Sequence, residues 1–254
     1  VEEGTLMWRV AGLLTDSPED QLGRLNSLGV AGVELRSAFG RTILDLPDRQ
    51  VQQIRDLLDK YDMQAYALGT DLATMPVDAD YSMERVHRAV EVATRLGCEE
   101  ICGYSFKIPA RTNPDRFKGE VVERIGQIIE VVSKAQMVYL HENALGYYGD
   151  VPTRVLDLAE CFTEESFSLV FDPLSYLTCG VHPIEAAYPQ IADRVSYVRL
   201  HRDVKISPRQ RQAYVEDLLV HLQKDDFAGV IALDGISDQQ GDKERESFAA
   251  LLQG

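Results

Sequence analysis

The stretch 137–172, MVYLHENALGYYGDVPTRVLDLAECFTEESFSLVFD, holds one complete unit of the chain's architecture. Met137 to Glu142 is a short apolar and aromatic run that ends on a carboxylate. Pro152 then leads an amphipathic stretch to Phe162, and Phe167 to Asp172 is a second run of the first kind. This is a strand, a helix and a strand. The helix returns the chain to the edge it started from, so the two strands pair in parallel.

The same unit recurs in both directions along the chain. Upstream, strands are predicted over Met7–Ala11, Val30–Arg36, Met63–Gly69 and Glu100–Ser105. Between them, Ser17-Pro18-Glu19-Asp20 opens a helix with a capping serine, a proline and first-turn acids, and Gly29 stops it. Pro47 opens a helix with Val51, Ile54, Leu57 and Leu58 on one face. A third spans Ser82–Leu96, closed by Gly97, and Phe117, Val121, Ile125, Ile128 and Val132 mark a fourth. Downstream, a helix is predicted over His182–Ile191, a strand over Val195–His201, a helix from Ser207-Pro208, a strand over Val230–Asp234 and a last helix over Lys243–Leu252. Eight strand–helix units in 254 residues predict one (β/α)8 barrel spanning 1–254. An open doubly wound sheet would carry a glycine-rich phosphate loop, whereas Gly32, Gly40 and Gly69 stand alone.

Charge narrows the function classes. The chain has 41 acidic against 26 basic residues, a net charge of −15, which opposes nucleic acid and anionic membranes. No apolar run reaches the length of a spanning helix, and the N-terminus lacks a signal-peptide pattern. Cys98, Cys102, Cys161 and Cys179 form no CxxC pair or disulfide framework. They read as buried small hydrophobes of a cytoplasmic protein.

A barrel of this kind places its chemistry at the C-terminal ends of the strands. Strands five to eight end at Glu142, Asp172, His201 and Asp234, with successive separations of 30, 29 and 33 residues. Three carboxylates and an imidazole gathered in one mouth repel unless a cation sits among them. An oxygen-rich, one-nitrogen set suits Mn²⁺ or Mg²⁺, with Co²⁺ or Zn²⁺ as alternatives.

These segments resemble the xylose-isomerase-like TIM barrel family of sugar isomerases, epimerases and related enzymes. His141-Glu142-Asn143-Ala144-Leu145-Gly146-Tyr147 resembles its strand-five Glu-Asn-His-Gly-Gly motif. Phe171-Asp172-Pro173 resembles its strand-six Asp motif, and Gly180-Val181-His182-Pro183-Ile184-Glu185-Ala186 its following helix start. Tyr197 to Val204 is similar to the strand-seven segment that carries His followed by Lys-Asp. The resemblance implies a divalent metal held by Glu142, Asp172, His201 and Asp234, with Glu142 and Asp234 moving the proton beside the carbonyl of a sugar-like substrate. A metal-dependent lyase (a dehydratase or a C-glycoside-deglycosylating subunit) is the alternative reaction. A non-catalytic barrel serving as a partner subunit is the alternative class. An endonuclease role needs more histidines than His141 and His201 supply.

The sequence departs from the pattern in three places. Asp234 is one methylene shorter than the family Glu. Leu200 stands where the family His sits, flanked by Arg199 and His201 on one strand face. Ala144 replaces a common His. Further candidates for substrate contact are Arg199, His141, Glu34, Arg36, Lys107, Tyr147 and Trp8, with Tyr148 beside Tyr147. Glu34 and Arg36 serve equally well as a structural ion pair. Association, with itself or with another subunit, stays open.

Overall fold

In the computed structural model, which describes residues 8–201 and 208–236, eight parallel strands close into a barrel. They are β1 (Arg9–Leu14), β2 (Gly32–Leu35), β3 (Gln64–Gly69), β4 (Glu100–Gly103), β5 (Val138–Glu142), β6 (Phe167–Phe171), β7 (Val195–Leu200) and β8 (Val230–Leu233). Each pairs with the next, and β8 pairs with β1. Around them lie α1 (Pro18–Ser27), α2 (Asp48–Lys60), α3 (Glu84–Leu96), α4 (Lys118–Lys134), α5 (Pro152–Ala159), α6 (Pro173–Thr178), α7 (Tyr188–Ile191) and α8 (Pro208–Lys224). None of the described helices is long and apolar enough to cross a membrane.

Strand alternation divides the apolar residues into two cores. Ala11, Leu13, Ala67, Cys102, Leu140, Val170, Tyr197, Val230 and Ala232 fill the barrel interior. The larger core lies between strands and helices. There α3 contributes Val86, Ala89, Val92, Ala93 and Leu96 before Gly97 ends it in the left-handed region, at φ 69°. Small interior side chains matter for the site. Arg199 lies opposite Ala232, and Glu34 opposite Ala67 and Leu13, so alanines leave the volume that a buried guanidinium and its partners occupy.

The structure differs from the sequence reading in several elements. β1 runs on to Leu14 instead of ending at Ala11. Gly12 lies inside the strand: a Cβ there would stand 2.3 Å from Leu25 Cδ2, so the glycine admits the close approach of α1. Ser17 makes no side-chain cap bond. Instead the Gln21 side-chain oxygen accepts from the N–H groups of Thr15 (3.1 Å) and Asp16 (3.0 Å). The single helix predicted over His182–Ile191 is broken into a π-turn, Pro183–Ala187, and the short α7, and α6 precedes both. Gly180, at φ 77°, turns the chain after α6. Pro189 has no N–H to return to the Glu185 carbonyl, so no regular α ladder runs through the segment. Met7 and the helix predicted over Lys243–Leu252 lie outside the described residues.

Candidate metal centre and active site

Inward-facing positions bring charged side chains into the C-terminal half of the barrel in two layers. The deeper layer is built on Arg199, which is fully buried. Its Nη2 donates to Glu34 Oε1 at 2.8 Å and its Nε to Glu34 Oε2 at 3.1 Å. Tyr197 Oη donates to Glu34 Oε2 at 3.0 Å, and Cys102 Sγ lies 3.3 Å from Arg199 Nη2. Arg199 Nη1 stands 2.6 Å from Glu142 Oε2, as an ion pair rather than an aligned hydrogen bond. Arg36, just beyond β2, donates from Nε to Glu34 Oε1 at 2.6 Å and from Nη2 to Glu142 Oε2 at 2.8 Å. A Cβ at position 69 would stand 2.5 Å from Arg36 Cγ and 2.9 Å from Glu34 Oε1. Gly69 therefore makes room for this layer.

Two carboxylates and two guanidiniums cancel in charge, and that balance lets them be buried together. Burial works to raise both carboxyl pKa values. For Glu34, the nearby Arg199 and Arg36 outweigh it and hold the group below its usual value. For Glu142 the same two cations, with His201, hold it well below.

The upper layer is the triad Glu142, Asp172 and His201. One donor atom from each lies within 4.8 Å of the others. His201 Nε2 is 3.3 Å from Asp172 Oδ2 and 4.0 Å from Glu142 Oε1. Asp172 also caps α6: its Oδ1 accepts from Leu174 N–H at 3.0 Å and its Oδ2 from Ser175 Oγ at 2.9 Å. The capping role fixes the carboxylate orientation, and burial raises its pKa against the pull of His201.

Asp234 stands on the other edge of the imidazole, its Oδ2 3.5 Å from Nδ1. Burial alone would depress the His201 pKa, but Asp234, Glu142 and Asp172 together raise it to about 9.

The donor set fits a divalent ion. Two carboxylate oxygens and one imidazole nitrogen converge, and Glu142 turns Oε1 toward them while Oε2 faces the guanidiniums. A carboxylate on the far nitrogen of a ligating histidine is the usual means of fixing its ring and tautomer. The geometry therefore groups Glu142, Asp172 and His201 as candidate ligands and sets Asp234 behind His201.

Beside the triad opens a cavity of about 420 Å³, lined among others by Arg36, Thr70, Asp71, Tyr104, Ala144 and Tyr147. The Tyr104 and Tyr147 rings are 5.1 Å apart and tilted by 33°. This is large enough for a small polar ligand.

The structure brings Glu34, Arg36, Arg199 and Tyr147 to the site or its cavity, and leaves other candidates away from it. His141 is buried on the outer face of β5, stacked on Phe167 with centroids 5.9 Å apart. Burial lowers its pKa to about 4. Strand alternation, which turned Glu142 inward, turned His141 out. Trp8 is only 8 % exposed and precedes β1, at the opposite end of the barrel from the mouth. Lys107 is exposed, its Nζ 5.7 Å from the Tyr147 ring centroid, and it is not part of the cavity lining. Tyr148 is fully buried and donates to Asp157 Oδ2 at 3.2 Å, so it walls no cavity.

Sequence reasoning missed Tyr197, Cys102, Thr70, Asp71 and Tyr104. Tyr197 had a readable signal, because it sits two residues before Arg199 and must share its inward face. Thr70 and Asp71 lie in a loop whose course only the folded chain sets.

An acid–imidazole triad on the C-terminal rim of a closed (β/α)8 barrel defines a class, the barrels with a candidate divalent-cation centre at the mouth. The chain belongs to the xylose isomerase-like TIM barrel family, which it matches over residues 22–252.

Among solved structures it is similar to a D-tagatose 3-epimerase-like protein, with a TM-score of 0.74 and 12% identity over 96% of this chain and 97% of that one. It is also similar to a D-allulose 3-epimerase from Methylomonas sp. in complex with D-allulose, with a TM-score of 0.70 and 17% identity over 89% of this chain and 83% of that one. A probable 3-DHS dehydratase from Bacillus anthracis, involved in petrobactin synthesis, gives a TM-score of 0.72 and 13% identity over 97% of this chain and 99% of that one. At these identities the likeness is one of fold. No curated protein sequence matches the chain.

Proposed function

We propose that this protein is a divalent-metal-dependent isomerase or epimerase acting on a sugar or sugar-like carbonyl compound. The observation that carries the reading is the convergence of Glu142, Asp172 and His201 at the C-terminal end of the barrel, with Arg36 linking Glu142 to the neighbouring cavity. An ion held by these three would polarise a carbonyl and stabilise negative charge developing on its oxygen.

The chain's own side chains then have distinct tasks. Glu142 and Asp234 flank His201 on its two ring nitrogens and are the proposed proton carriers. One removes the proton from the carbon beside the carbonyl; the C–H electron pair becomes a carbon–carbon double bond as the carbonyl π pair moves onto oxygen, giving an enediolate. Return of a proton to the other face of the same carbon gives the epimer, and return to the former carbonyl carbon, with the hydroxyl proton passing to the other oxygen, gives the isomer. The Tyr104–Tyr147 pair and Arg36 line the space for the rest of the molecule.

Elimination by a dehydratase is the second reading. Asp234 is engaged with His201 Nδ1, which leaves Glu142 as the main carboxylate beside the substrate, and one base suffices for loss of a β-hydroxyl. Cys98 and Cys102 are buried as expected, whereas Cys161 is exposed and Cys179 half-buried; the four free thiols support a reducing compartment such as the cytoplasm.

Ketoses, inososes and oxidised glycosides incubated in D₂O with Mn²⁺ provide the test. The expected result is deuterium at the carbon beside the carbonyl, seen by NMR and lost both with chelator and in Glu142→Gln. Exchange with an isomeric product supports isomerisation, whereas an unsaturated product supports elimination. Full turnover by Glu142→Gln would overturn both.

A further inference from the structure

We infer that Arg36 weakens and tunes the metal site by sharing the Glu142 carboxylate with the ion. It is a positioning residue that keeps Glu142 a one-oxygen donor and the cation exchangeable. The inference rests on the metal reading above and assigns a role to a residue outside the triad.

Glu142 divides its two oxygens. Oε2 carries Arg36 Nη2 at 2.8 Å and Arg199 Nη1 at 2.6 Å, while Oε1 is the oxygen 4.0 Å from His201 Nε2. Two guanidinium charges therefore sit on the far oxygen of the carboxylate that would bind the ion.

The two arginines are not equivalent. Arg199 is fully enclosed and locked by Glu34, Tyr197 and Cys102. Arg36 is 24% exposed and forms part of the cavity wall. Removing Arg36 leaves Arg199 to hold Oε2, so the carboxylate keeps its orientation and loses one nearby positive charge. Glu34, on the other side of Arg36, retains Arg199 and Tyr197 as partners.

The sign of the effect follows. A positive charge a few ångströms from a divalent cation repels it and withdraws electron density from the shared carboxylate. With the largely aqueous screening of a guanidinium that faces the cavity, relieving that repulsion strengthens binding by about tenfold to a hundredfold. A purely structural Arg36 would give the opposite result, because losing it would loosen Glu142 and weaken binding.

The experiment is a Mn²⁺ titration of the full chain at fixed pH, with free Mn²⁺ read by electron paramagnetic resonance. It compares wild type, Arg36→Gln and Arg36→Lys, and thermal melting monitors folding. Arg36→Gln is expected to bind Mn²⁺ at least about tenfold more tightly than wild type. Arg36→Lys, which keeps the charge without the fork, is expected within about threefold of wild type. Equal or weaker binding by Arg36→Gln overturns the inference while leaving the metal site standing. So does an Arg36→Lys affinity more than about tenfold from wild type, a result readable even if the glutamine variant fails to fold. No Mn²⁺ binding by any of the three overturns the metal reading and this inference with it.

Discussion

Replacing Arg199 by methionine should cost the fold about 3 kcal/mol. The guanidinium is fully buried against Glu34, itself 0% exposed, and Glu142. Removing one member of such a pair leaves carboxylate charge in the barrel interior, for which losses of about 3–5 kcal/mol are usual. Arg36 still touches both carboxylates, so each keeps one of its two cationic partners, and the lower end of that range applies. Methionine fills much of the volume, which keeps the cavity contribution small. For a chain of this length the change corresponds to a fall in melting temperature of about 6–12 °C. The assay is urea unfolding at neutral pH followed by circular dichroism, with Glu34→Gln and the double variant completing a cycle. Because glutamine removes the stranded charge, Glu34→Gln/Arg199→Met should recover about half of the loss. A cost below about 1 kcal/mol, or strictly additive single variants, would refute the view that charge balance around Arg199 holds the centre of the barrel together.

Other consequences are open to direct measurement. Glu100, at the start of β4, has a buried Oε2 without a hydrogen-bond partner. Burial, with Glu34 and Glu99 adding to it against Arg9, raises its carboxyl pKa from 4.5 to about 7. In that window the folded chain binds the proton more tightly than the unfolded one, so stability is complete below about pH 4.5 and falls as pH rises through about 7. Glu100→Gln should remove this loss and stabilise the protein at pH 8 by about 2–3 kcal/mol, with little change at pH 4.5. Equal effects of the variant at both pH values would show that the carboxyl titrates normally. Gly32→Ala would place a Cβ 1.8 Å from Tyr66 Cε2. An overpacking cost of about 1–3 kcal/mol should appear in a thermal melt, and an unchanged midpoint would mean that the Tyr66 ring swings aside.

Much of the barrel was legible because its signals are local and repeated. Apolar runs such as Val138–Glu142 and Phe167–Phe171, separated by Pro-led helices, can close their hydrogen bonds and bury their faces only as parallel units. The elements that misled were those where a neighbour overrides the local rule. The first strand reads as ending at Ala11 but runs on through Gly12, where α1 packs closely, and the Pro183–Pro189 segment reads as a helix but cannot keep a regular ladder. The rim carboxylates were legible for a related reason, since Glu142, Asp172 and Asp234 each follow or close a strand at the C-terminal end of the barrel.

Periodicity and strand ends are properties of neighbouring residues, so the barrel, its inward alternation and the residue types gathered at its mouth follow from local sequence. Which of those charges meet is settled by tertiary structure. Glu34 and Arg199 are 165 residues apart in the chain, yet they form the fork at the barrel centre. The Glu142 oxygens are divided between two arginines and a histidine from two other strand ends, and Asp234 falls behind His201. Such pairings depend on barrel register and on the volume left by Ala67 and Ala232. No local pattern encodes either, so the charge balance of the site appears only once the strands have closed.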